Sequence, residues 1–581
     1  MLRRVFFGLF AATLAACAPT EEEAASTTAA STETLATRPL SAEPSRVIYQ
    51  VLVRSFWDGW WWGDGTGDFA GVVAKLDYLA DLGVDTLLLM PVHPSTGGMG
   101  YVPTDLFGLD PGYGHEEDFR AMVDAAHARG FRVLIDTPLN HIADSSAWFQ
   151  RARHKDCAGG SSASPYCRYF YFARSPGSTA PYSSWHKPWD WDHTTSADVF
   201  HRPWGFDASR DRDEPYYATF SPQMPDLAYW DFDRERFNEP LLDDIRRFFE
   251  KWSALGVDGY RIDAAKHLVE GPSSNVPPST SHNLELLRHL LRTARSYRAG
   301  SSFIAEVYSG TEEIESYLPD ASDLALDFPY MYAIREGLDA WGDHADAVRR
   351  ALQRYEATQD RLGRGHRVVF AGNHDVPRLW TVFRGDLDKI RMAHFLALLA
   401  PEPVSMLYGE EVGMAGDVVR ANPRANPPIL EDKVDTVRAF PWDGASPAVG
   451  FPSGTWPVMQ APDNYRENNL AAMKDDPGSL FSFVKNILAV RRSFPLAPET
   501  RVVVSTSLYG SMTGYTLVNR ADTGPARCRT VVVNMSNGGP WTIPVAHAAP
   551  ECGAPRETFV HGAWRTTGGY AVGPYGKIVV D

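Results

Sequence analysis

Residues 256–267 read GVDGYRIDAAKH, and this stretch decides the fold. It opens as an apolar run, in the manner of a strand buried in a core. Charge then enters abruptly, with Arg261 and Asp263 two apart and therefore on one face of an extended chain. Charge at the inner end of a core strand asks for a reason, and the rest of the chain supplies it.

Seven other runs share this apolar character: VIYQVLVRSF at 47–56, VDTLLLMP at 84–91, FRVLIDTP at 131–138, SFIAEV at 302–307, DLALDF at 323–328, RVVFAG at 367–372 and PVSMLYG at 403–409. Strands without polar alternation are those of a parallel sheet covered on both faces. Helical patterns lie between most of them. HEEDFRAMVDAAHARG at 115–130 puts Phe119, Met122, Val123 and Ala126 on one face and stops at Gly130. EPLLDDIRRFFEKWSALG at 239–256 behaves alike. Eight strand–helix units predict an α/β fold, a closed (β/α)8 TIM barrel over residues 46–141 and 226–497. More than a hundred residues separate the third strand from the fourth, too many for a structureless loop, so 142–225 is expected to be an inserted small domain. From 498 to 581 short alternating strands such as GYTLVNRA, RTVVVNMS and GKIVVD predict an all-β module, a β-sandwich.

The N-terminus reads as an export signal over residues 1–17: Arg3 and Arg4, then an apolar run too short to span a bilayer as a mature helix. Its end, Leu14-Ala15-Ala16-Cys17, resembles the lipobox of bacterial lipoproteins, which implies lipidation of Cys17. The alternative is a plain cleaved signal with Cys17 incidental. Residues 18–45 carry no large apolar periodicity and read as a disordered tether. The expected location is the cell envelope, exported and lipid-anchored, periplasmic or at the cell surface. Ala18, standing where an aspartate often marks inner-membrane retention, points to the outer membrane. The other four cysteines fall in two close pairs, Cys157 with Cys167 and Cys528 with Cys552, which suits local disulfides in an oxidising compartment. Buried free thiols are the other reading. No C-x-x-C pair is present, which argues against zinc. The balance of 56 Lys and Arg against 72 Asp and Glu, a net −16, argues against a nucleic-acid partner.

In such a barrel chemistry gathers at the C-terminal ends of the strands. There the sequence places Asp136, Asn140 and His141 after strand three, Arg261 and Asp263 after strand four, Glu306 after strand five, and Asn373, His374 and Asp375 after strand seven. Two carboxyls roughly 5–5.5 Å apart permit retaining glycoside hydrolysis, one attacking the anomeric carbon and the other protonating the leaving oxygen. Arg261 is expected to lower the pKa of Asp263 and keep it ionised. The apolar setting of Glu306 in FIAEVY favours its protonated form. Asp375 offers a third charge for an oxocarbenium-like transition state. Any one segment alone has a structural reading; four in barrel order, each at a strand end, do not share one.

DTPLNH, GYRIDAAKH, IAEVYSG and FAGNHD resemble, in order, the four signature regions of the α-amylase family, family 13 of the glycoside hydrolases. The likeness extends through KLDYLADLGVDTLLLMPV, GYVPTDLFGLDPGYGHEEDF, MPDL at 224–227 and YGEEVGM at 408–414. It implies Asp263 as nucleophile, Glu306 as general acid/base and Asp375 as transition-state stabiliser, with Arg261 beside the nucleophile. It implies that His141 and His374 bind hydroxyls of the sugar being cleaved, that Tyr101 stacks beneath it, and that Lys266 and His267 hold glucose on the leaving-group side. A solvated loop charge is the plainer reading of Lys266. The insertion matches the family's domain B and the terminal β module its domain C.

The loop SFWDGWWWGDGTGDF resembles the family's first calcium segment, with Asp58, Asp64 and Asp68 as oxygen donors, and Asn140 corresponds to a ligand of a second calcium site or serves equally as a hydrogen-bonding scaffold residue. The loop is two residues longer than the family pattern and carries tryptophan at an Asn-like position, so calcium and a metal-free packed loop both stand. The chemistry itself needs no cofactor. Trp60, Trp61 and Trp62 read either as a sugar-stacking platform or as packing against domain B. The expected function is retaining hydrolysis of α-1,4 bonds in starch, glycogen or maltooligosaccharides. The alternatives are a transglycosylase, isomerase or α-glucosidase on the same scaffold, resembling trehalose synthase or cyclomaltodextrinase, and a non-catalytic glucan-binding lipoprotein. Retention of all three carboxylates weighs against the last.

Overall fold

The computed structural model describes residues 46–581 apart from 60–62, 161–163, 173–199, 202–206, 213, 232–233, 270–280, 340–344, 363–365, 419–433, 453–456, 498–499, 509, 520–525, 544–546 and 568. The export signal with Cys17, the tether and tryptophans 60–62 lie outside the described residues. Among those described, no helix is long and apolar enough to cross a membrane.

Eight parallel strands form the centre: β1 Val47–Val51, β2 Thr86–Leu89, β3 Arg132–Thr137, β4 Gly259–Ile262, β5 Ser302–Ala305, β6 Leu324–Leu326, β7 His366–Val368 and β8 Val404–Leu407. Each pairs with its neighbour in sequence, and β1 pairs with β8. A parallel bridge from Val369, one residue past β7, to Val404 joins the last two strands and completes the barrel. Alternation along the strands sorts the side chains. Ile48, Leu88, Leu134, Ile304, Leu324 and Val368 share one cluster, while Tyr49, Leu87, Val133, Tyr260 and Phe303 belong to a larger cluster shared with the helices. Both faces are therefore apolar, the physical origin of the unalternating runs in the sequence.

The helices around the barrel include α1 Phe69–Ala74, α2 Leu76–Leu82, α3 Glu116–Ala128, α4 Glu239–Ala254, α5 Ser281–Tyr297, α6 Phe328–Asp339, α7 Asp346–Leu362, α8 Leu387–Leu398 and α9 Leu480–Ser493. Helix α3 buries Phe119, Met122, Val123 and Ala126, the face its periodicity indicates. Gly259 lies so close to β5 that a Cβ there would sit 2.5 Å from the Ser302 carbonyl oxygen.

The insertion between β3 and α4 carries a short helix, Ala147–Ala152, the Cys157–Cys167 disulfide and a buried Arg153–Asp211 ion pair. It is tied to the barrel by antiparallel bridges from His141 to Asp226 and from Phe170 to Leu227. At the other end of the chain, β9 Arg501–Val504, β10 Met512–Asn519, β11 Arg527–Asn534, β12 Trp541–Ile543, β13 Glu557–Thr566 and β14 Gly569–Val580 form an antiparallel unit with the Cys528–Cys552 disulfide. Residues 577–580 of β14 pair with β11 and β13, whereas 570–572 pair with β12 and β13. Between them β14 carries four residues, 573–576, against the single Gly562 of β13. Among the described residues the expected sandwich thus takes the form of one bonded six-stranded sheet turned at this bulge. Arg349 of α7 donates to the Gly510 and Met512 carbonyls and fastens this unit to the barrel's helices.

Candidate active site

Strand register builds the site before any side chain is considered. Asp136 in β3 lies opposite Arg261 in β4, and Ile262 lies opposite Ala305 in β5. The next residues, Asp263 and Glu306, therefore leave the barrel side by side. The bond pattern continues past the strands: the amide of Glu306 donates to Ile262 and that of Ala265 to the Glu306 carbonyl.

One guanidinium organises the three carboxylates. Arg261 Nη1 donates to both oxygens of Asp136, at 2.7 and 2.8 Å, and to Asp263 Oδ1 at 2.8 Å. Its Nη2 stands 2.7 Å from Glu306 Oε1. Arg261 and Asp136 are fully buried, while Asp263, Glu306 and Asp375 are partly open at the barrel mouth. This is the reason for the charge in residues 256–267. Ala264, which links Asp263 to the following turn, adopts left-handed backbone angles, φ 48° and ψ 39°. A non-glycine residue held there stores strain, and here the strain aims the Ala264 amide at Glu306 Oε2, 2.9 Å away.

Burial pushes Glu306 up to about 7; Arg261 opposes the rise, and the charges of Asp263 and Asp375 add to it. Asp263 also rises, to about 6, for the same leading reason, with the neighbouring Asp136 charge adding. The expectation that Arg261 would hold Asp263 low is therefore corrected: the arginine does pull downward, but loss of water outweighs it. Burial thus pushes both carboxyls toward the protonated form.

Asp375 is placed by the loop after β7, where its amide donates to Asn373 Oδ1 at 3.0 Å. The buried ring of His374 stacks on Tyr101 with centroids 5.0 Å apart and planes 8° apart, and its Nδ1 lies 3.2 Å from Gln50 Nε2. The Tyr101 hydroxyl donates to Asp136 Oδ2 at 2.7 Å. Both nitrogens of His141 face protein oxygens, Tyr101 O at 2.8 Å and Asn140 Oδ1 at 3.1 Å, and the single N–H of the neutral ring donates to one of them. Burial drives this histidine down to about 4, which keeps it neutral. Lys266 donates to the Tyr308 carbonyl at 2.8 Å, and Asn140 Nδ2 donates to the His267 carbonyl at 2.7 Å. Lys266 and His267 are buried and belong to the wall of the site.

The structure does not bring the candidate calcium ligands together. Asp58 accepts from the Gly65 amide, Asp64 from Thr66, and Asp68 from Gly59 and Gly71 as the N-cap of α1. Among the described residues no group of three Asp, Glu, His or Cys side chains is arranged to hold a metal ion. Asn140 spends its amide on His267 and His141. These residues cap loop backbone and do not fit a calcium ion as a set.

Three contributors escaped the sequence reading. Gln50 is an interior position of β1 that meets His374. Phe220, from the insertion, is 40 % exposed and lies edge-on to both His141 and His267, with centroids at 5.7 and 5.3 Å. Tyr308, two residues past Glu306, has its hydroxyl 2.5 Å from that of Tyr332 in α6. An isolated Gln, Phe or Tyr carries no motif signal. For Tyr308, its place beside a strand-end glutamate was the one available clue.

Comparison with known proteins agrees with this geometry. The family model for the alpha amylase catalytic domain matches residues 50–497. An alpha-glucosidase of Apis mellifera is 26% identical over 496 residues, covering 78% of this chain and 79% of its own length. Alpha-amylase 3 of Dictyoglomus thermophilum is 28% identical over 377 residues, 64% of each chain. Among solved structures, the trehalose-6-phosphate hydrolase of Bacillus licheniformis superposes with a TM-score of 0.74 at 21% identity, over 94% of this chain and 99% of its own, a likeness of fold.

Proposed function

The chain belongs to the alpha-amylase family, and on that premise we propose that it hydrolyses α-1,4-glucosidic bonds of starch, glycogen or maltooligosaccharides with retention of anomeric configuration. The observation that carries this reading is the single guanidinium of Arg261, in contact with Asp136, Asp263 and Glu306 at once. It keeps two carboxyls of different acidity within reach of one glycosidic bond.

In the first step an Asp263 oxygen bonds to the anomeric carbon as the bond to the leaving oxygen breaks, and that oxygen takes the proton of Glu306. Glu306, now ionised, then removes a proton from water as the water oxygen bonds to the same carbon and Asp263 leaves. Retention follows from two displacements at one centre. Asp375 and Asp263 oppose the positive charge that develops on the ring, while Arg261 keeps the carboxylates from repelling one another. Tyr101 and His374 supply a flat aromatic wall beside the sugar. No cofactor enters either step.

The test is a time course on maltoheptaose with anomers resolved. Initial products with the α configuration and a ladder of short maltooligosaccharides agree with the proposal; β products overturn retention, and an unchanged substrate overturns the substrate class. Glu306→Gln should bind starch and lose turnover. The similarity to an alpha-glucosidase over most of the chain favours a second reading, release of single glucose units from chain ends, and the same series separates the two by whether glucose appears alone at first. We also propose export and attachment to the cell envelope through Cys17. The two disulfides suit such an oxidising compartment.

A further inference from the structure

Asp375 rides on the loop 371–377, and that loop is held from beneath by a side chain that no motif marks. Arg335, in helix α6, is buried and reaches up to donate from Nε to the Ala371 carbonyl at 2.7 Å and from Nη2 to the Pro377 carbonyl at 3.0 Å. One planar fork thus ties the two ends of the loop that carries Asn373, His374 and Asp375. Gly372 makes the approach feasible, because a Cβ there would lie 2.5 Å from Arg335 Nη2. A second buried arginine completes the support. Arg378 donates to the Tyr408 and Thr436 carbonyls at 2.6 and 2.8 Å, and Thr436 Oγ1 donates to the His374 carbonyl at 2.7 Å. Glu410 lies 3.5 Å from Arg378 and also attracts Arg335, so one buried carboxylate balances both. An arginine spent on backbone carbonyls away from water is costly, and rigid geometry is what it gives in return.

We propose that Arg335 is a positioning residue for Asp375: by clamping both ends of the loop it sets how near the stabilising carboxylate stands to Asp263 and Glu306. The inference rests on the role of Asp375 in the proposed function. It acts through distance alone, as Arg335 has no described contact with the three carboxylates.

The test uses the full chain with an activated aryl α-maltoside, so that weak variants still turn over. Arg335→Lys keeps the charge but loses the fork; Arg335→Met loses both. Each should lower kcat by about 10- to 100-fold with little change in KM, the scale of a small misplacement. The Asp375 charge contributes to the raised pKa of Glu306, so withdrawing it should also move the basic limb of the kcat/KM profile to lower pH. In an Asp375→Asn background the same Arg335 substitutions should change kcat less than about two-fold, because the interaction they disturb has gone. An unmoved limb, or an equal loss in both backgrounds, overturns the clamp. Should Arg335→Met fail to fold, the same two readouts on Arg335→Lys decide the matter. An Asp375→Asn enzyme of unchanged kcat overturns instead the stabiliser role on which the inference stands.

Discussion

Arg261 Nη2 stands 2.7 Å from Glu306 Oε1, and the contact lacks the alignment of a hydrogen bond. The same arginine donates well-formed bonds to Asp263 and Asp136. Its charge acts on all three carboxylates, and at Glu306 burial outweighs that pull, so the group holds its proton beside a cation.

The pH profile follows. The proposed mechanism requires Asp263 ionised and Glu306 protonated, so kcat/KM should rise with pH through about 6 and fall again above about 7. The groups interact, so the limbs belong to the set rather than to either residue alone. A profile flat from pH 5 to 9 on a soluble maltooligosaccharide overturns the acid/base assignment.

Stability should show the same group with the opposite benefit. The folded pKa of Glu306 is raised above its unfolded value. Its contribution is then fully present below the unfolded pKa and lost as pH rises through about 7. Glu306→Gln removes the buried charge and should stabilise the inactive protein by roughly 1–3 kcal/mol at pH 8, with the gain vanishing near pH 4. Thermal melts of both proteins at the two pH values check this; an equal difference at both would exclude linkage through this carboxyl.

Phe220 is an exposed ring set between His141 and His267 at the mouth. Replacing it by Ala removes the one apolar surface the insertion offers there among the described contacts. KM for maltotriose should rise roughly 3- to 10-fold, corresponding to about 0.7–1.4 kcal/mol of lost contact, with a smaller change in kcat. Steady-state kinetics on maltotriose and maltoheptaose measure it.

The Cys157–Cys167 disulfide closes a short loop of the insertion, with a sequence separation of 10. In the chain-entropy picture such a link contributes roughly 2–3 kcal/mol. A Cys157→Ser, Cys167→Ser variant should therefore lose activity on heating, or become open to limited proteolysis between β3 and α4, before the barrel melts. Coincident loss of circular dichroism and activity at an unchanged Tm would contradict this.

A further substitution probes the barrel itself. Gly259→Ala places a methyl carbon against the Ser302 carbonyl, where backbone surrounds it. Strand separation between β4 and β5 would displace Asp263 from Glu306, and the expected cost is at least about 2 kcal/mol together with most activity. A denaturant midpoint and a rate on the same sample check both halves.

Much of this was legible in the chain, for a physical reason. Strands buried on both faces show as unbroken apolar runs, and a register between parallel neighbours is enough to bring Asp136, Arg261, Asp263 and Glu306 together. Arg335 and Gln50 were not legible, because each acquires meaning only from the distant segment it meets in the fold. The net direction of the Asp263 shift was hidden too: sequence displays the neighbouring arginine but not the depth of burial that outweighs it. The aspartates of the first loop left two readings open, since spaced carboxylates suit calcium and backbone capping equally well until the amides they accept from are known.

Val47 lies in register with Val404, about 350 residues further along the polymer. During synthesis the first strand has one flank occupied by β2 and the other bare until the last strand emerges from the ribosome. A half-made molecule of this design has an adhesive border and no finished catalytic mouth.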